Sequence, residues 1–258
     1  MTLSKINKTA WSASSINKFI ASPSAWLASY VYDCYGSGSP AMSRGKATEI
    51  GYEHYTKNND EFSRMDDAVA VAIEYFNKDT ALFLKDDDAR TKEREALPDF
   101  IKQAVMAFEP FGNPTSSQNR LELKIDGIDD PFIGFDDFCF QPQYGNALVS
   151  IDLKTTHRLP STISDAHKRQ LSLYQAMKPE YEIKIAYCTT RKFAVYDLTL
   201  EDYEFHMEEI RQATLAAQEL LSLYDDPKDL KKIIIPDFSS FYWSDAQLRN
   251  DAKRIWGY

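Results

Sequence analysis

One stretch of the chain, Val149-Ser150-Ile151-Asp152-Leu153-Lys154-Thr155-Thr156, constrains the fold more than any other. With the two-residue side-chain period of a β-strand, Val149, Ile151 and Leu153 share one face, and Asp152 and Lys154 share the other. The apolar face requires a packed layer against it, so the strand belongs inside a sheet. A carboxylate and an ammonium brought to one point of a buried strand are costly unless they satisfy each other, meet further polar groups or hold an ion. A structural salt bridge and a metal site are both readings of that pair.

The surrounding pattern places this strand in an α/β chain. Apolar residues at helical spacing (Ile16, Phe19, Ile20, then Trp26, Leu27, Tyr30) predict helices over 12–32, broken near Ser22-Pro23. Gly36-Ser37-Gly38-Ser39-Pro40 reads as a loop, and 43–57, 68–77 and 91–108 as helices, the last two joined by an acidic segment. After Pro114 the period changes. Leu121, Leu123 and Ile125 alternate with Glu122 and Lys124 as in a half-buried strand, and strands are predicted over 131–141 and 147–155, with a Gln143-Tyr144-Gly145-Asn146 turn between them. A helix over 164–177, strands over 183–189 and 193–198, and helices over 200–224 and 244–255 complete the chain. No internal repeat or low-complexity segment interrupts this order.

A second carboxylate source lies in Gly134-Phe135-Asp136-Asp137, on the strand before the Asp152 strand. Asp136 and Asp137 alternate across that strand, so at most one faces Asp152, and the other is expected to be solvated, capping or supporting. Two oxygen ligands and a cation are the components of a Mg²⁺ site that acts on phosphodiesters. Glu49 and Glu53 share a helix face, as a solvated acidic stripe or as further oxygen ligands, with His54 peripheral. Gln170 and Tyr174, also four apart, share a face of the following helix, and Lys168-Arg169 beside them form a short basic stretch that could touch phosphates.

These motifs together resemble the PD-(D/E)XK nuclease superfamily, in the Gly-x-x-Asp…Asp-x-Lys form of its RecB-like exonuclease branch. Gly134-x-x-Asp137, Asp152-x-Lys154 and Gln170-x-x-x-Tyr174 follow the branch's order, and Arg44-Gly45-x-x-x-Glu49 falls where it carries Arg-Gly-x-x-x-His. Ser15-Ile16-Asn17-Lys18-Phe19, Ser22-Pro23 and Trp26 look like its N-terminal Ser-x-x-x-Phe…Cys-Pro…Trp entry, so the resemblance runs from about Ser12 to Tyr174. It implies a restriction-endonuclease-like core, a mixed central sheet flanked by helices, within a single nuclease domain over 1–258. The helical part carrying Glu49 would span 12–112, the α/β core 119–199 and the C-terminal helices 200–258.

The resemblance further implies that Glu49, Asp137, Asp152 and the Leu153 carbonyl bind Mg²⁺ or Mn²⁺. Asp137, Asp152 and Lys154, with Gln170 and Tyr174 on the nucleic-acid backbone, would carry phosphodiester hydrolysis, with Lys154 orienting the water and sharing in its activation. Gly134 would allow close backbone approach. The implied activity is a DNA exonuclease acting on single- or double-stranded ends in recombination, repair or replication, in a phage among other settings, with a recombination or single-strand-binding protein as a possible partner. An endonuclease of the same superfamily, an RNA-directed enzyme, and an inactive binding or scaffold protein of this fold are the alternatives.

Composition narrows the rest. The 258 residues, 43% hydrophobic and 27% charged, suit a globular domain with a sizeable core. No run approaches the roughly 20 apolar residues of a membrane span, and the first residues lack the apolar stretch of a signal peptide, so a cytoplasmic protein without membrane contact is expected. Cys34, Cys139 and Cys188 are widely spaced, which suggests neither a disulfide framework nor a zinc site. With no cysteine over 236–258, the iron–sulfur cluster of some RecB-like proteins is not expected. A net charge of −9 weighs against tight duplex binding, although bound cations reverse the local sign at an acidic site. Acidic runs such as Asp86-Asp87-Asp88 and Asp225-Asp226 are expected on solvated faces. No phosphate-cradling Gly-x-x-x-x-Gly-Lys loop, nucleophile elbow or His-Glu-x-x-His helix occurs.

Overall fold

The computed structural model describes residues 2–58, 62–82, 87–141 and 147–258. The sequence pattern translates into helices first. Ser12 caps α1 (Ala13–Ala21) with a reciprocal capping box to Ser15, and Ser22 caps α2 (Pro23–Trp26), whose first residue is Pro23. Both choices satisfy amide groups that a helix start leaves without partners. The break expected near Ser22-Pro23 is therefore a double cap, and one wider π turn, Leu27–Val31, continues α2.

The helix predicted from residue 43 starts earlier, as α3 (Pro40–Lys57), because Ser39 caps it and Pro40 opens it. α4 (Arg64–Asp79) and α5 (Asp87–Phe108) also exceed their predicted lengths, and α5 runs through Pro98. Of the acidic run 86–88, residue 86 and the Asp87 side chain lie outside the described residues, as does the predicted turn 143–146.

Five strands form a mixed sheet in the order β1-β4-β5-β6-β7. They are β1 (Ser116–Ser117), β4 (Phe138–Phe140), β5 (Leu148–Thr155), β6 (Tyr181–Cys188) and β7 (Phe193–Asp197), and only the β5–β6 pair is parallel. β2 (Arg120–Leu123) and β3 (Phe132–Phe135) pair antiparallel as a separate two-stranded sheet. α6 (Asp165–Met177), capped by Ser164, makes the crossover between β5 and β6, as a parallel pair requires. α7 (Leu200–Ser222) and α8 (Ala246–Trp256) follow.

The continuous strand expected over 131–141 is two strands in two sheets. The regular ladders are interrupted at Asp136-Asp137, where backbone hydrogen bonds to Asn119 and Gln118 continue and the two side chains add bonds of their own. Asp136 accepts the Asn119 amide at 2.9 Å, and Asp137 accepts the Leu153 amide at 2.8 Å. The half-buried alternation of Arg120–Leu123 is present, in the small sheet rather than the central one.

Val149, Ile151 and Leu153 of β5 pack with Phe138, Phe140, Phe100, Phe108 and Tyr52, so α5 and α3 cover that face. The opposite face lies under α6, with Ile183, Ile185 and Tyr187 of β6 against Leu171 and Tyr174. A separate apolar cluster joins the N-terminal helices to α7 through Trp26, Leu27, Phe132 and Ile210. The sheet is thus sandwiched, and β5 is its central strand.

Candidate active site

The two-residue period of β5 does what it predicts. Asp152 and Lys154 emerge on the face away from the Phe108 cluster, with the Lys154 ammonium 2.6 Å from Asp152 Oδ2. Asp152 is buried at 3% exposure and receives the Gln170 side-chain amide on Oδ1 at 2.8 Å. Its Oδ2 has no aligned hydrogen-bond donor, so the contact with Lys154 is an ion pair without a directed hydrogen bond.

Gln170 also donates to the Tyr174 hydroxyl at 3.0 Å, and that hydroxyl donates to the Phe135 carbonyl at 2.8 Å. Helical spacing explains the pairing, because residues four apart stack on one face. One face of α6 therefore fixes both the acid on β5 and the end of β3. Gly134 makes this fit possible: a Cβ there would lie 2.6 Å from Tyr174 Cε1, so the ring rests directly on the backbone.

Asp137 reaches the same place from the bend before β4. Leu153 donates its amide to Asp137 Oδ2, and Gln118 donates to Oδ1 at 3.3 Å. Amide and carbonyl of one strand residue point to the same side, so the Leu153 carbonyl also faces this edge, beyond the end of β4. Glu49 enters from α3, paired with Lys46 at 2.8 Å. Glu53 is turned elsewhere, to Ser117 and Lys57.

The electrostatics are those of acids crowded away from water. Burial, with the adjacent Asp152 charge, pushes the Asp137 carboxyl well above the usual carboxylate range. Burial also raises the Glu49 carboxyl, against the pull of Lys46. For Lys154 burial acts to lower the ammonium, but Asp152 and Asp137 outweigh it and hold it above an ordinary lysine. These neighbours thus hold Lys154 as a cation.

The residue types fit a hard divalent cation: oxygen donors from three elements, a buried carboxylate oxygen without a directed donor, and mutual repulsion that an ion would relieve. Among the described residues, no three His, Cys, Asp or Glu side chains already stand in a ligating cluster. Lys154 and Lys46 neutralise Asp152 and Glu49 in this arrangement.

A cleft of about 800 Å³ opens onto these groups. Glu49, Asp137, Gln170 and Tyr174 line it, with Trp11 of the N-terminal segment and the exposed Phe135 ring. His167 also lines it. Sequence reading assigned it no role, yet its Nδ1 lies 2.5 Å from the Tyr187 hydroxyl, and burial, with Lys154 nearby, lowers its proton affinity. Its position three residues before Gln170 on α6 was the available signal.

One expectation is corrected, and Asp136 and Arg44 find their partners. Lys168 and Arg169 are not a free basic stretch: Lys168 pairs with Asp202, and Arg169 chelates Glu209 and bonds Asn17. Asp136 is not solvated; it is fully buried and holds the Lys178 ammonium at 2.8 Å. Arg44, the motif residue before Glu49, is a buried strut. It bonds Thr155, Glu93 and His157, which pins the start of α3 to the end of β5.

No protein-family model matches this chain, and no curated protein matches it. Among solved structures it is similar to one described as the crystal structure of SSO0001, at 15% identity over 67% of this chain and 75% of that one, with a TM-score of 0.34. A likeness that distant carries no argument. The plain statement of fold is an α/β chain with a mixed five-stranded sheet among helices. No described helix is long and apolar enough to cross a membrane.

Proposed function

We propose that this chain is a metal-dependent deoxyribonuclease with a restriction-endonuclease-like core, acting on DNA ends. The observation that carries the reading is the convergence of Asp137, Asp152, Lys154 and Gln170 at one end of β5, beside a cleft that Asp137, Gln170 and Glu49 line. A structural salt bridge would satisfy Asp152 and Lys154 alone. It gives no reason to bury Asp137 beside Asp152, where its carboxyl is pushed well above the usual carboxylate range.

Asp137, Asp152 and Glu49, with the Leu153 carbonyl, would hold Mg²⁺ or Mn²⁺. The ion's chemistry there is to polarise the phosphodiester and to make bound water more acidic. The chain's own groups do the rest. Gln170 fixes the Asp152 carboxylate, and Tyr174 fixes Gln170 against the Phe135 carbonyl. Lys154, held protonated, supplies a compact positive charge where negative charge accumulates on the phosphoryl oxygens, and it orients the attacking water. Few unengaged cations line the cleft, which suits a protein that grips DNA through metal and backbone polar contacts more than through basic side chains.

The test is incubation of the purified chain with end-labelled linear DNA and covalently closed circular DNA, in Mg²⁺, Mn²⁺ or EDTA. Loss of linear DNA from its ends, with circles intact and EDTA blocking, supports an exonuclease. Cleavage of circles would make it an endonuclease, and binding without cleavage a scaffold of this fold.

A further inference from the structure

Behind the candidate site, on the far side of the Asp136-Asp137 bend, lies a second polar cluster that the nuclease reading does not use. Cys139 of β4 is fully buried, and the Lys178 ammonium, just past the end of α6, is 7% exposed. Lys178 Nζ stands 2.8 Å from Cys139 Sγ and 2.8 Å from Asp136 Oδ2. The thiol donates to that same carboxylate oxygen at 3.0 Å, and the Tyr181 ring lies 3.6 Å from the ammonium. Asn119 completes the cluster through Asp136 and Cys139.

A purely structural purpose is an incomplete account of this group. Asp136 already neutralises Lys178, and a serine or alanine at 139 would fill the strand position without placing sulfur against an amine. Sulfur is larger than oxygen, so an amine–thiol hydrogen bond is ordinarily longer than an amine–carboxylate one; here the two are equal at 2.8 Å. The gap is close to what two single bonds meeting at one oxygen atom span. Nitrogen, sulfur and a proton acceptor are therefore already at the separations a one-oxygen link needs.

We propose that Lys178 and Cys139 form a reversible covalent N–O–S bridge, with dioxygen as the oxidant. In the balanced step the Lys178 ammonium, the Cys139 thiol and O₂ give Lys–NH–O–S–Cys, one water and one proton. N–O and S–O bonds form; two N–H bonds, the S–H bond and the O–O bond break. One oxygen atom is retained in the bridge and the other leaves, reduced, as water. Asp136 accepts the released proton. Dioxygen is small and apolar, so burial of the thiol excludes larger oxidants more than it excludes this one. A bulkier reagent would have to carry the sulfur up the usual oxidation ladder instead.

The bridge would tie the C-terminal end of α6 to β4, next to the bend that presents Asp137, while Gln170 and Tyr174 sit on the same helix. It is thus a redox-sensitive clamp on the frame of the cleft, and it does not depend on what the cleft cleaves.

The experiment is intact-mass measurement of the whole chain after equilibration in air-saturated buffer, before and after dithiothreitol, followed by peptide mapping. The bridge predicts a gain of roughly 14 Da, one oxygen less two hydrogens, that reduction reverses. Mapping should join the Cys139 and Lys178 peptides, and C139S and K178R should each lack the gain. Lysine methylation, which has nearly the same mass, would survive the reductant and leave the peptides separate. An unchanged wild-type mass, a gain of one or two whole oxygens on the cysteine, or a loss of two hydrogens from a direct S–N bond would each overturn the proposal without requiring any variant to fold.

Discussion

Replacing Gly134 with alanine tests the frame of the site at its tightest point. Gly134 lies in β3 without a positive φ, so alanine is compatible with its backbone and the only obstacle is space. The added Cβ would stand 2.6 Å from Tyr174 Cε1, with Cδ1 at 3.4 Å. Ordinary carbon–carbon contact begins near 3.5 Å, so the ring must retreat by roughly 1 Å. Tyr174 is 7% exposed and packed with Leu171, Ile185 and Tyr187, so it has nowhere easy to go. Overpacking of this kind costs about 1–3 kcal/mol, and straining the Tyr174–Phe135 hydrogen bond adds about 1 kcal/mol. The stiffer unfolded chain returns about 0.4–1 kcal/mol. The net is a loss of about 2 kcal/mol, or roughly 4–8 °C in melting temperature for a chain of this size.

The activity should fall further than stability does. Tyr174 holds Gln170, and Gln170 holds Asp152, so a shift of about 1 Å at the ring is passed to a carboxylate whose placement sets the reaction geometry; such misplacement costs about 10²-fold. Urea unfolding and single-turnover cleavage at saturating protein measure the two effects separately. The decisive control is a double-mutant cycle with Tyr174→Ala, which removes the ring. In that background Gly134→Ala should be neutral or slightly stabilising. Equal costs in both backgrounds, or no cost in the wild type, would refute the contact argument.

Three further outcomes are expected. Asp152→Asn should abolish cleavage and weaken Mn²⁺ binding while the fold persists; calorimetry showing unchanged metal affinity, together with continued cleavage, would place the site elsewhere. Lys154→Ala should lower the single-turnover rate by roughly 10²-fold or more with little change in DNA affinity, and Lys154→Arg should rescue it incompletely, because a planar guanidinium does not reproduce a compact ammonium. Wild-type rate on bound DNA with weakened binding would make Lys154 an anchor only. Asp136→Asn should cost about 3–5 kcal/mol near neutral pH, because it strands the buried Lys178 ammonium. Burial raises the Asp136 carboxyl, yet Lys178 and the Cys139 thiol outweigh it and hold it below its ordinary value. Its contribution is thus present above the unfolded-state value and is lost as pH falls through the lower folded one, so urea midpoints of wild type and variant should converge in acid.

How much of this was legible in the sequence differs from residue to residue. Asp152 and Lys154 were legible because a strand's two-residue period is local, and the apolar partners Val149, Ile151 and Leu153 fixed which face was which. Gln170 and Tyr174 were legible by the same logic at helical spacing. The break at Asp136-Asp137 was not. No proline or glycine stands at Asp136-Asp137 to announce the bend, and the amides that hold the two carboxylates there, those of Asn119 and Leu153, are distant in sequence. Lys168 and Arg169 misled for a related reason: a basic pair reads as free until Asp202 and Glu209, a helix away, are folded onto it.

The two aspartates at the bend show what side chains add where a regular ladder is interrupted. Had 131–141 continued as one strand, strand alternation would have sent Asp136 and Asp137 to opposite faces of a single sheet, and at most one would have been buried near β5. Breaking the strand lets both carboxylates turn inward. Asp136 goes to Lys178 and Cys139, where it holds the C-terminal end of α6, and Asp137 goes to the Leu153 amide, where it meets Asp152. The stable ion pair on one side offsets part of the cost of crowding unpaired acids on the other, since Asp136 anchors the backbone that forces Asp137 into its unfavourable place. Strain of that kind persists only where neighbours over-determine the conformation. It follows that Asp136, which faces away from the cleft, positions Asp137. Weakening its grip should loosen Asp137 and raise the metal concentration needed for half-maximal cleavage, whereas a merely structural Asp136 would lower stability and leave that concentration unchanged.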